Sequence, residues 1–114
     1  MGVAGPGIYL GTTAEGVVAA GPEHGALVLG PPRSGKTSTL VVPNVLAAAG
    51  AVVSTSTKTD VLQATLSARW GAGRCWLYDP TGSVEVPHGA QALRWSPVSG
   101  ASSWDGAVLM ARAM

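Results

Sequence analysis

The sequence predicts an α/β fold in which short parallel strands are covered by helices. Three observations carry this: apolar runs at 26–29, 51–53 and 75–78 that do not alternate with polar residues, apolar residues at helical spacing in both intervals between them, and Gly or Pro at the boundaries. A strand covered on both faces needs no alternation, and strand–helix–strand order at this spacing gives βαβ units.

Taken in order, Ile8–Leu10 and Val17–Ala19 flank Gly11–Gly16 and predict a small hairpin or edge segment within residues 1–25. Residues 26–114 form the main unit. Ala26–Leu29 is its first predicted strand, a buried one, ending at Gly30. Leu40, Val41, Val45 and Ala48 share one face of a helix over 36–49, in which Pro43, lacking an N–H, kinks or tightens the first turns. Ala51–Val53 is the second strand. Thr57-Lys58-Thr59-Asp60 has the form of a capping box, and Val61, Leu62, Thr65, Leu66 and Arg69 continue a helix that Gly71 stops. Cys75–Tyr78 is the third strand, and Ser102 and Asp105 cap a last helix that runs to Met114. Three parallel strands leave long edges, so the chain is expected to be the amino-terminal part of a larger sheet.

Composition narrows the functional classes. The 114 residues are 46% apolar and 11% charged, against ~25% charged in an average soluble domain, which excludes a disordered tail. Seven Lys/Arg against six Asp/Glu leave a net charge of +1, too little for a dominant nucleic-acid-binding patch. Cys75 stands alone, so neither an internal disulfide nor a zinc module is available, and a reducing compartment fits. The stretch between Lys36 and Lys58 carries no charge, yet Pro43, Asn44, Gly50 and its hydroxyl residues interrupt the run of about 20 apolar residues that a membrane span requires. Met1–Gly11 has no basic region before an apolar core and is no signal peptide. The chain by itself is expected to be soluble and cytoplasmic, with no membrane span.

The chemistry lies in Gly30-Pro31-Pro32-Arg33-Ser34-Gly35-Lys36-Thr37, which matches the P-loop pattern G-x-x-x-x-G-K-[ST] at every specified position, between a predicted strand and a predicted helix. Successive backbone N–H groups and the helix start can converge there on the phosphates of ATP. Gly30 and Gly35 let the backbone wrap closely, and Arg33 and Ser34 contribute mainly backbone donors. Lys36 brings charge to the β- and γ-phosphates, and the Thr37 hydroxyl can coordinate Mg²⁺. Lys36 and Thr37 are the catalytic candidates; residues 30–37 and Ser38 are the cofactor-binding set.

Other candidates are weaker. Hydrolysis needs a carboxylate at a neighbouring strand end. Asp79 follows four apolar residues, but Pro80 comes next, and an Asp-Pro turn explains it better. His24 and His88 lie far apart with no nucleophile arrangement. Trp70, Trp76, Trp95 and Trp104 lack basic interleaving, and their spacing predicts core packing. Lys58 and Asp60 directly follow a predicted strand end, where they would either sense nucleotide or simply open a helix.

Four landmarks, in order, resemble the TraG/TraD-like coupling ATPases of type IV secretion: the Gly30–Thr37 loop with Pro43-Asn44 in the following helix, Ser56-Thr57-Lys58-Thr59-Asp60, Trp76-Leu77-Tyr78-Asp79-Pro80, and Arg94-Trp95-Ser96-Pro97. Where that family commonly has Asp-Pro-Lys-Gly-Glu, this chain keeps Lys58 and an acid, Asp60. The resemblance implies a RecA-like P-loop NTPase sheet with flanking helices, here incomplete, within a homohexameric Mg-ATP-driven motor. That motor would act at the cytoplasmic face of the bacterial inner membrane and receive a single DNA strand bound to its relaxase. It also implies that the Walker B acids and the DNA-contacting loops lie outside these residues, so Asp79 is not the Walker B residue. An FtsK-like DNA translocase fragment shares the motor logic. A small P-loop metabolite kinase and an inactive nucleotide-binding remnant are the alternatives from other classes.

Overall fold

The computed structural model describes residues 7–113. It is an α/β chain with two two-stranded sheets, and it divides at Gly73/Arg74 into two compact units.

The first unit opens on the expected hairpin. Strands β1 (Ile8–Thr13) and β2 (Gly16–Ala20) pair antiparallel from Ile8↔Ala20 to Thr13↔Gly16, with the register shifting between Tyr9 and Gly11. Leu10 is the extra residue of this bulge, and Gly11, at φ 149°, supplies a conformation a side chain would resist. The strands extend beyond the apolar runs because Thr12 and Thr13 suit a strand as well as Ile8 does.

The helix expected over 36–49 runs over Thr37–Ala47, and its first turns widen instead of tightening. Thr37–Val41 is a π-helical turn, closed by the Val42 N–H donating to the Thr37 carbonyl, and it runs into α1 (Val42–Ala47). Pro43 has no N–H to give Thr39, so the wider five-residue closure one position earlier replaces the missing bond. Helix α2 (Asp60–Ala72) packs against α1 and carries the two buried residues of the described chain, Val61 and Thr65. These lie one turn apart, and the next turn on that stripe is Arg69, which donates to the Ala48 and Gly50 carbonyls at 2.6 and 2.7 Å. The core of this unit is therefore the seam between α1 and α2.

Ala26–Leu29 and Ala51–Val53 are not strands: neither pairs in any described ladder, and Leu29 (84%) and Val53 (91%) are exposed instead of buried. An apolar run becomes a strand only when a neighbour takes its backbone groups, and no described segment does so. The capping box is also absent. Thr59, not Thr57, sits at the N-cap and makes no side-chain cap bond, while Asp60 Oδ1 accepts from the Val61 N–H at 2.9 Å. The helix passes Gly71 and ends at Ala72.

The second unit contains the parallel pair. Strand β3 (Cys75–Leu77), as expected, runs parallel to β4 (Ala90–Ala92), and the Leu93 N–H donates to the Leu77 carbonyl at 2.8 Å just past the ladder. Helix α3 (Pro97–Gly100) starts at Ser96, whose Oγ accepts from the Val98 N–H at 3.3 Å. Helix α4 (Trp104–Ala113) starts where Ser103 Oγ accepts from the Gly106 N–H at 3.1 Å, one residue after the expected cap. The expectation that the four tryptophans form a core is overturned: Trp70, Trp76 and Trp95 are about half exposed and Trp104 is 81% exposed. With so little buried area in either unit, large aromatic rings have no interior to enter.

Candidate functional site

The loop from Gly30 to Thr37 curls upon itself. Arg33 (φ 63°) and Gly35 (φ 84°) both take left-handed conformations, the kind of backbone from which anion-binding nests are built. Arg33 accepts a strain that glycine would avoid. A Cβ on Gly30 would lie 3.0 Å from Ser34 Oγ and 3.5 Å from Lys36 Cδ, so a side chain there would press on the two side chains that close the loop. Pro31 and Pro32 bring no N–H; they set the shape, and the Pro31 carbonyl accepts from the Ser34 N–H at 3.3 Å.

The Lys36 ammonium is held inside this curl. Nζ donates to the Gly30 and Pro31 carbonyls at 2.6 and 2.7 Å and to Ser34 Oγ at 3.3 Å. These bonds fix a positive charge beside the donors of Arg33–Thr37. Behind the loop, Thr39 N–H, Thr39 Oγ1 and Ser38 Oγ all donate to the Gly35 carbonyl, at 2.9, 2.7 and 3.1 Å, fastening the loop to the helix. Thr37, half-buried at the helix start, makes no side-chain hydrogen bond among the described residues, so its hydroxyl is available to a ligand. The set of donors, one fixed cation and one available hydroxyl fits a polyphosphate carrying a divalent ion. Among the described residues no group of three or more His, Cys, Asp or Glu converges.

Two further contacts support the loop from behind. The Asn44 side chain behaves as a piece of backbone: Oδ1 accepts from the Tyr9 N–H at 2.8 Å, and Nδ2 donates to the Tyr9 and Leu40 carbonyls at 2.9 and 2.7 Å. It joins β1 to the helix that follows the loop. Arg69 similarly holds the carbonyl end of α1. The signal was a Pro-Asn pair inside a helical pattern, where Asn has no reason of its own to sit.

The remaining candidates take part in local turns and caps. Lys58 and Asp60 make no hydrogen bond to residues 30–37 among the described residues; the Lys58 N–H donates to Ser56 Oγ at 3.0 Å, and Asp60 opens α2. The His24 N–H closes a turn on the Gly21 carbonyl at 3.1 Å. Asp79, in the second unit, forms the turn its Pro80 neighbour suggests: Oδ1 accepts from the Thr81 N–H and Oγ1 at 2.9 and 2.6 Å, and Oδ2 from the Val84 N–H at 2.7 Å. The Thr81 hydroxyl bond, with the Val84 amide, lowers its pKa from 3.8 to about 2.

Among the described residues, no helix is long and apolar enough to cross a membrane. A family model described as type IV secretory system conjugative DNA transfer matches residues 2–86 of the chain. No curated protein and no solved structure matches it.

Proposed function

Because the chain belongs to the type IV secretory system conjugative DNA transfer family, we propose that residues 30–37 are the ATP-binding loop of a motor that powers DNA transfer. The observation that supports this most is the Lys36 ammonium fixed at 2.6–2.7 Å from the Gly30 and Pro31 carbonyls, beside a nest opened by Arg33 and Gly35.

The residue roles follow from placement. The N–H groups of Arg33, Gly35, Lys36 and Thr37 would meet phosphate oxygens, Lys36 would neutralise the β- and γ-phosphates, and Thr37 with Ser38 stands at the helix start, where the Thr37 hydroxyl would hold Mg²⁺. Mg-ATP supplies the phosphoanhydride bond whose cleavage drives a motor. Residues 30–38 bind and orient it; they include no carboxylate to activate water, and Asp79 is bound into its own turn. The isolated chain is therefore expected to bind ATP without steady hydrolysis. In the complete motor the partners are single-stranded DNA, its relaxase, other secretion components and identical subunits in a hexameric ring at the cytoplasmic face of the bacterial inner membrane.

Titration with a fluorescent ATP analogue and Mg²⁺ tests the reading. Saturable binding that falls at least tenfold in Lys36→Ala, and loses its Mg²⁺ dependence in Thr37→Ala, is the expected result. Equal binding by all three proteins refutes it.

A further inference from the structure

A second candidate site lies wholly within the second unit. The two parallel strands β3 and β4 end side by side, and beyond their carboxyl ends opens a cleft of about 500 Å³. Ligands of parallel sheets bind at that end of the strands, because the loops there are free to diverge. Each strand delivers one aromatic residue and one charged residue in adjacent positions: Tyr78-Asp79 after β3 and Arg94-Trp95 after β4.

The chemistry of these four residues is uneven. Tyr78 and Trp95 both line the cleft and are 47% and 55% exposed. The Asp79 carboxylate is taken up by three donors of its own loop, which leaves it shaping the wall. Arg94 is exposed and makes no hydrogen bond or ion pair among the described residues. A cleft with two ring surfaces and one uncommitted guanidinium suits a flat ring that carries a negative charge.

We infer that the cleft between Tyr78 and Trp95 binds a nucleobase, with Arg94 meeting the adjoining phosphate. The same chemistry is presented by a free nucleotide and by one unit of a single DNA strand. The site shares no residue with the loop over 30–37 and does not rest on the reading given to that loop.

The test uses the full chain carrying Lys36→Ala, so that binding at the loop does not contribute, with a fluorescein-labelled oligothymidylate and thymidine monophosphate as probes. Trp95→Ala and Arg94→Gln are each expected to weaken binding about fivefold or more, the range that loss of one stacked base produces, while Trp95→Phe keeps most of it because a ring remains. Monophosphate that displaces the oligomer identifies a single-nucleotide site; an oligomer bound in the presence of excess monophosphate identifies a strand site. Absence of binding for both probes, affinity unchanged in Trp95→Ala and Arg94→Gln, or Trp95→Phe failing as badly as Trp95→Ala while folded by circular dichroism, overturns the inference. Because Lys36 is already replaced, none of these results bears on ATP binding.

Discussion

Replacing Asn44 by Ala removes three hydrogen bonds of 2.7–2.9 Å, two that join β1 to the helix behind the loop and one, to the Leu40 carbonyl, within that helix. Each such bond contributes about 0.5–1.5 kcal/mol net, so the sum is about 1.5–4.5 kcal/mol. Tyr9 and Asn44 are only half-buried, so water can reach the Tyr9 N–H and carbonyl, which places the loss near the lower end, about 2 kcal/mol. Alanine's better helix propensity returns roughly 0.5 kcal/mol. The net expectation is a destabilisation of about 1.5 kcal/mol, read as a lower urea midpoint without a change in slope. Asn44→Asp sharpens the comparison. Its carboxylate still accepts from the Tyr9 N–H but faces the Tyr9 and Leu40 carbonyls that Nδ2 served, so it destabilises at least as much at pH 7 and recovers when protonated. Amide exchange at Tyr9 gives the local reading and should rise in both variants. An Asn44→Ala midpoint within about 0.5 kcal/mol of the parent, with Tyr9 exchange unchanged, refutes the clamp.

Further outcomes follow from the same geometry. Gly35→Ala forces a Cβ into a φ of 84°, costing about 1–2 kcal/mol and misaligning the loop, so ATP-analogue affinity should drop several-fold while α2 remains intact by circular dichroism. Arg69→Met keeps the aliphatic stem but loses the bonds to the Ala48 and Gly50 carbonyls, and should cost about 1–2 kcal/mol in urea unfolding. Because the folded Asp79 pKa is lowered from 3.8 to about 2, its contribution is complete above the unfolded value and is lost as pH falls through the folded one. Thr81 and Val84 amide protection should therefore disappear between about pH 4 and pH 2, and Asp79→Asn should show weakened protection already at neutral pH.

What could be read in the sequence was whatever the chain decides locally. The hairpin follows from two β-prone runs around a Gly-bounded turn, and α2 follows from apolar spacing over three turns, although its capping arrangement differs. The P-loop pattern located the loop, yet the hold of Lys36 on two carbonyls is a tertiary fact that no spacing states. Ala26–Leu29 and Ala51–Val53 carry the apolar character of strands without being strands, because apolar character reports a tendency to burial whereas a strand requires a partner. Strand β4 went unseen for the converse reason: Ala90-Gln91-Ala92 has little strand propensity and pairs because β3 offers its edge. Helix α3 was announced by Ser96-Pro97, a cap followed by proline at the first turn, and this signal was available. The tryptophans show the limit of spacing arguments, since periodicity identifies rings that could share a face without showing what covers it.

The most direct test of the central claim is a backbone amide chemical-shift titration of the chain with Mg-ATP. Saturable shifts centred on the N–H groups of Arg33, Gly35, Lys36 and Thr37, with residues of β1 and β2 little affected, are the expected result. Saturable binding that leaves these four amides unmoved would contradict it.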